Sequence, residues 1–358
     1  MITENDFTAI MNKSIQGLLK DALYISLKSP SMALFIKDTI AAQKKAAGIR
    51  SKNEEEGLHV PAFMIASITH RCNLRCKGCY AQAQHRRQDS ELDISRMKNM
   101  VREAKDLGIS IILLAGGEPL VRKNDIMEIA RENRDVIFPT FTNGLLLNDS
   151  VIAELKGVKN LIPVVSIEGN EEDTDARRGD GVHQHSREIF RRLKDNDIFY
   201  GTSITVTHEN FDTVTDESFV KELLAEGCKL FFFVEYVPVK EETDTWAITE
   251  EQREKLSQKM TDFRENLSGL FIAFPGDEKY FGGCIASGRG FIHVSPEGNI
   301  EPCPFAPFSD SNIKDKSLKG ALQSDFLRKI RENHDLLVEG QGGCALWEKR
   351  NIVERFLL

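Results

Sequence analysis

The chain has 358 residues, 41% of them hydrophobic and 28% charged, enough to bury the core of one large domain plus a smaller one. Its formal net charge of −8 argues against a nucleic-acid binder that works by neutralising phosphates, though it is compatible with a local basic patch. No apolar run approaches the ~20 residues of a bilayer span, and Glu4 and Asp6 spoil any signal-peptide pattern, so a cytoplasmic location is expected.

Residues 11–50 place Ile15, Leu18, Leu19, Ala22 and Leu23 at helical spacing. Ser29 and Pro30 break the run, so two helices are expected, the second over 32–47. Lys13, Lys20, Lys28, Lys37, Lys44 and Lys45 decorate them. Packing against a barrel rim or bottom is the expectation; contact with a membrane surface is the alternative. A polar, acidic linker is expected over 51–57.

From residue 62 the pattern alternates. Strands are expected at 63–69, 110–114, 136–141, 161–167, 200–206 and 230–236. Helices are expected near 93–107, 124–134, 148–156, 184–196 and 212–226. The strands are continuous apolar runs, as in strands buried on both faces. Six βα units with right-handed crossovers predict an α/β fold, a partial (β/α)6 TIM-like barrel with N-terminal helices. A charged helix at about 249–267 follows. A hairpin is then expected, with arms at 291–294 and 300–302, and a helix near 317–333. The expected organisation is therefore a helical extension at 1–60, a barrel at 61–240, and a small hairpin-plus-helix module at 241–358.

Seven cysteines are too few and too unevenly placed for a disulfide scaffold. Cys72, Cys76 and Cys79 fall within eight residues, directly after the first strand. Active sites of βα barrels are built at the C-terminal ends of strands. Three thiolates there suit an iron–sulfur cubane with one iron left open. A zinc site completed by His70 or His85, or three unrelated thiols, are the competing readings.

The spacing Cys72-x3-Cys76-x2-Cys79, followed by Tyr80, resembles that of the radical S-adenosylmethionine (SAM) superfamily. The resemblance covers about 61–240 and implies a [4Fe-4S] cluster that binds SAM. Gly116, Gly117 and Glu118, after the second strand, look like the segment that binds the SAM amino group in that family. Two glycines let backbone approach, and Glu118 or backbone carbonyls accept from an ammonium. Ser166 and Glu168, after the fourth strand, resemble a Ser-x-Asp-Gly segment with Glu in place of Asp. There Ser166 would hold the cofactor and Glu168 would lie near its ribose. Arg178, before Gly179, matches an arginine that pairs with the methionyl carboxylate. Asn143, in Thr142-Asn143-Gly144, matches a residue near the cofactor. Thr205, Val206, Glu235 and Tyr236 line the adenine or substrate pocket or fill barrel core.

Cys284, Cys303 and Cys344 form a second set around the predicted hairpin, with Cys228 apart as a packing residue. The gaps about Gly298 resemble the auxiliary-cluster modules called SPASM and twitch, which implies a second iron–sulfur cluster. The ending departs from the pattern: Cys344-Ala-Leu-Trp347 holds tryptophan where a last cysteine is common. A distant ligand, an open iron, or a decayed module are the possible outcomes.

The resemblance implies an enzyme that cleaves SAM reductively to a 5′-deoxyadenosyl radical, which takes hydrogen from a substrate. Oxidative modification or crosslinking in peptide or small-molecule maturation is expected. A cofactor-precursor cyclase-like or lipid-modifying enzyme is the alternative. A non-catalytic iron–sulfur electron carrier is a further one. The partners implied are a peptide or small-molecule substrate and an electron donor such as flavodoxin or ferredoxin, with no nucleic acid. No separate leader-binding domain is evident before residue 61.

Overall fold

The structure is a computed structural model that describes residues 4–27, 29–84, 90–273, 276, 278–338 and 344–358. Its centre is a nine-stranded sheet. The first six strands are β1 (Phe63–Ser67), β2 (Ile112–Ala115), β3 (Phe138–Thr142), β4 (Leu161–Ser166), β5 (Gly201–Val206) and β6 (Leu230–Glu235). They pair in parallel and in chain order, as the apolar runs predict. Buried side chains on both faces explain those runs, since helices cover the outside and the barrel core fills the inside. The sheet is α/β and parallel but does not close, so it has two edges.

Both edges carry strands that the six-unit pattern does not predict. β7 (Leu270–Ala273) extends the sheet beyond β6 in parallel. At the other edge β8 (Phe291–Val294) pairs in parallel with β1, and β9 (Ile300–Glu301) returns antiparallel to β8. The hairpin thus forms where expected, but it docks on the strand that leads into the first cysteines. Stacking of Phe63 on Phe291, with ring centroids 5.3 Å apart, helps set that register.

Two long helices, α1 (Glu4–Ile25) and α2 (Pro30–Glu55), precede the barrel. Pro30 opens α2, where a missing N–H costs nothing. The linker expected over 51–57 is instead helix as far as Glu55. Its polar side chains find partners: Asn53 Nδ2 donates to Leu107 O, and Glu54 accepts from Thr8 Oγ1 at 3.0 Å. Good helix formers with such partners simply continue the helix. Phe7, Met11, Ile15 and Leu19 recur on the buried face of α1. Gln43 of α2 exchanges hydrogen bonds with Ser110, just before β2. The helices therefore pack on the barrel, as expected. Among the described residues no helix is long and apolar enough to cross a membrane.

Helix differences trace to caps. The expected 317–333 helix is two, Leu318–Leu322 and Asp325–Glu332, because Ser324 caps the second by accepting from Leu327 N. The expected 212–226 helix is also split, into Phe211–Val214 and Glu217–Ala225, with Asp216 capping the second. A helix not foreseen, Glu171–Arg178, follows β4; Asn170 caps it and three acids fill its first turn.

Candidate active site

The cysteine loop leaves β1 and ends in a short helix at Tyr80–Ala83. Backbone contacts fix its path. Gly117 N donates to Thr69 O at 2.7 Å, Glu118 N to Arg71 O at 2.8 Å, and Lys77 N to Arg177 O at 2.9 Å. The glycines permit this closeness. Gly116 has φ 110°, and a Cβ there would stand 2.7 Å from Thr69 O. A Cβ on Gly117 would collide with the Arg71 carbonyl. Gly78 is likewise enforced, because Tyr236 and Trp246 fill the space its side chain would need.

A cavity of about 230 Å³ opens at the C-terminal ends of β1 to β6. Cys72, Cys76 and Cys79 line it, and Tyr80, Gly116, Gly117, Glu118, Asn143, Ser166 and Arg178 share the same wall. Chain positions more than 100 residues apart thus converge, one strand end at a time. Thr205, Glu235 and Tyr236 also line the cavity; Val206 does not.

The polar members divide into lining groups and braces. Glu118 is buried, and its carboxylate accepts from Leu120 N, Thr142 Oγ1 and Asn143 N at 2.8–3.0 Å. Burial pushes its carboxyl up, and those three donors pull the other way. Glu118 therefore latches the β2 loop to the end of β3. Asn143 Nδ2 donates to Asn73 Oδ1 at 2.7 Å and lies 4.0 Å from Cys72 Sγ. Ser166 Oγ lies 3.2 Å from Ser203 Oγ.

Glu168 sits just behind the arginines. It is absent from the cavity wall, and its carboxylate is taken by Arg177, by Arg178 Nε at 2.7 Å and by Thr205 N at 3.0 Å. It faces Arg177 and Arg178, which line the cavity. Arg177 lines the cavity beside Arg178, and its Nε is buried with no partner. Burial pushes the Cys76 thiol up, while Arg178 and Arg177 oppose it. The sequence marks both arginines but not their shared carboxylate.

The second set also converges. Cys303 and Cys344 are buried and within hydrogen-bond reach of each other, with Cys284 close enough to act on Cys303 electrostatically. Burial, then Cys344, push the Cys303 thiol well up. Pro304 and Phe305, directly after Cys303, line the main cavity. Tyr80 joins the two sets: its ring packs edge-on against Phe305 at 5.1 Å. Burial pushes its phenol up, and the charges of Cys79 and Cys303 add to this. Trp347 is no ligand substitute, since its indole donates to Pro238 O at 3.2 Å and Arg350 stacks on it. Cys228 is buried and bonded to Leu230 O, a packing residue as expected.

Sequence reasoning missed one constellation. Ser67, His293 and Glu301 form a buried hydrogen-bonded chain across β1, β8 and β9. No spacing signals it, because each member sits on a different strand.

The donor set fits an iron–sulfur cluster carrying an amino-acid-bearing nucleotide. Three thiols share one rim, two glycines let the β2 loop lie directly against the cysteine loop, and a guanidinium has an unused buried donor. Among the described residues no three His, Cys, Asp or Glu side chains close on a single ion. His70 is spent on Glu297, and His85 lies outside the described residues. The His70–Glu297 pair counts against His70 as a zinc ligand.

The family model of the Radical SAM superfamily matches residues 66–222. The chain is 29% identical over 323 residues to the AdoMet-dependent heme synthase of Methanosarcina barkeri, covering 82% of this chain and 90% of that protein. It is 24% identical to the PqqA peptide cyclase of Bradyrhizobium diazoefficiens, over 86% of this chain and 78% of that one. It superposes on Streptococcus suis SuiB bound to S-adenosylmethionine with a TM-score of 0.63 at 18% identity, over 84% of this chain and 73% of SuiB. That likeness shows the fold.

Proposed function

Because the chain belongs to the radical SAM superfamily and is an enzyme of that family, we propose that it uses SAM to oxidise or crosslink a peptide or small-molecule precursor during its maturation. The observation that carries this is the shared cavity wall, where three thiols meet the Gly116–Gly117 cradle and two arginines. The enzyme relatives argue against a non-catalytic electron carrier.

When bound, a [4Fe-4S] cluster and SAM supply one-electron cleavage and hydrogen-atom abstraction. The chain's residues do the rest. Cys72, Cys76 and Cys79 hold the cluster through thiolates. Carbonyls of the glycine segment accept from the ammonium of SAM. Arg178 and Arg177 take its carboxylate, in the fork geometry that suits guanidinium. Glu168 keeps both arginines aimed, and Ser166 and Asn143 border the nucleoside. Leu113, Phe141, Phe232 and Val234 line the cavity and keep water from a reactive centre. Cys284, Cys303 and Cys344 would hold an auxiliary cluster beside the cavity, which would supply an acceptor for the electron that a substrate radical loses on oxidation. An external donor such as flavodoxin or ferredoxin supplies the first electron.

A second reading is maturation of a tetrapyrrole cofactor. It is favoured by the heme synthase match, which spans 90% of that relative. Both readings share one test. Anaerobically reconstituted protein, reduced with dithionite, should form 5′-deoxyadenosine, and Cys76→Ala should abolish it. No product from protein with an intact reducible cluster would sink the proposal. Mössbauer spectra should show one cluster fewer in Cys303→Ala; unchanged iron would remove the auxiliary site. Product analysis with candidate tetrapyrrole precursors and with candidate peptides then separates the readings.

A further inference from the structure

We propose that the outward face of α1 and α2 docks the protein on an anionic lipid surface, with the joint between the two helices dipping among the headgroups. The inner faces are spent on the barrel. Gln43 exchanges hydrogen bonds with Ser110 before β2, Lys159 Nζ donates to Ser31 O at 3.0 Å before β4, and Ser29 Oγ donates to Asp197 Oδ2 at 2.6 Å before β5. α2 and the joint therefore run across the N-terminal ends of the strands. The cavity opens at their C-terminal ends, so a surface bound here leaves it clear.

The outward face is ordered along both helices. At about 100° per residue, Lys13, Lys20 and Tyr24 form one stripe of α1, opposite the buried Met11, Ile15 and Leu19, and Leu27 follows in the turn. Leu34, Lys37, Ala41 and Lys45 form the exposed stripe of α2, with Lys44 beside it. Tyr24 is 75% exposed, and Leu27 and Leu34 are 60% exposed, all within about one turn of the joint. Large apolar side chains held in water at one spot mark a binding surface.

Charge selects the partner. Residues 13–45 hold six lysines against Asp21 and Asp38, in a chain of net charge −8. Among the described residues Lys13, Lys20, Lys37, Lys44 and Lys45 enter no ion pair, whereas Lys98, Lys105, Lys123, Lys221 and Lys255 on later helices each hold a carboxylate. Uncompensated lysines around an apolar tip fit acidic headgroups lying over acyl chains. A protein partner fits less well, because protein interfaces favour arginine over lysine, and residues 13–45 contain no arginine. A second copy fits least, because a twofold contact sets these lysines against themselves.

The test sediments the reconstituted protein with vesicles of phosphatidylcholine, alone or mixed with phosphatidylglycerol, at low and high salt. Wild type should bind the mixed vesicles at low salt, release them at high salt and ignore phosphatidylcholine. Lys20→Gln with Lys37→Gln, and separately Tyr24→Ser with Leu27→Ser and Leu34→Ser, should each weaken binding about tenfold or more. All five side chains are exposed, so circular dichroism and SAM cleavage in solution should match wild type. Equal binding to the two kinds of vesicle, or equal binding by either variant and wild type, overturns the proposal. Wild type left in the supernatant overturns it too, and would assign the basic face to an acidic protein. Sedimentation needs no turnover, so the result stands whether or not SAM is cleaved.

Discussion

Ser67 Oγ lies 2.8 Å from His293 Nε2, and this contact joins the strand entering the first cysteine loop to the hairpin carrying Cys303. His293 Nδ1 continues the chain to Glu301 Oε2 at 2.8 Å. All three residues are buried, so none can turn to water for a replacement partner. His293→Ala should destabilise the protein by roughly 2 kcal/mol, with His293→Gln recovering part of it. Denaturant unfolding measures this. Iron content should also fall in the alanine variant, because β9 leads directly into Cys303. Full stability in His293→Ala would contradict the assignment.

Gly117→Ala places a Cβ against the Arg71 carbonyl, one residue before Cys72. The barrel should still fold, because the clash lies in loops at the strand ends. The cysteine loop must shift, and misplacing a reactive site by about 1 Å can cost on the order of 10²-fold. SAM cleavage should drop by that order while circular dichroism stays native. A rate within twofold of wild type would show that the two loops do not need this approach.

Glu168→Gln removes the charge that both Arg177 and Arg178 face. Its side chain is 1% exposed, so the arginines lose a buried partner, and the cost should be about 3 kcal/mol. SAM binding should weaken as the guanidiniums reorient. Calorimetric titration of the reconstituted variant tests it; unchanged SAM affinity would mean that Glu168 braces the fold alone.

Glu54 ties α2 to Thr8 and to His59, whose Nε2 contacts Arg289 O near β8. Burial alone would raise the Glu54 carboxyl, but the His59 and Thr8 hydrogen bonds and the His59 charge outweigh it and leave it lowered. A carboxyl lower in the folded than in the unfolded state stabilises above its unfolded value, near 4.3. That contribution is lost as pH falls through the folded value. Glu54→Gln should therefore show a shallower loss of stability below about pH 4.5. Thermal melts across pH 3–6 check the slope; parallel curves for the two proteins would refute the linkage.

Much of this was legible in the residues themselves. Local signals found the six central strands, because runs such as Leu230 to Glu235 must be buried on both faces. They singled out Cys72, Cys76, Cys79 and the segments at Gly116 and Ser166, which the structure brings to one cavity wall, because short motifs carry their own spacing. They missed β7 and the docking of β8 on β1, since strand pairing is a choice among partners that apolar content does not rank. The helix break at Ser324 was missed because a serine cap reads from sequence like any polar residue.

What the sequence determined by itself is the chemical inventory and its order: thiols after the first strand, glycines after the second, a serine after the fourth, arginines beyond it. What only tertiary structure decided is which groups face the cavity and which are consumed. Glu118 and Glu168 look like ligands in the sequence, yet each is saturated by donors from neighbouring strand ends. The second thiol set meets the first through Tyr80 and Phe305, residues 225 positions apart. The physical reason is that a buried polar group takes whatever partner the fold brings within about 3 Å, and that partner is set by long-range packing rather than by neighbours in the chain.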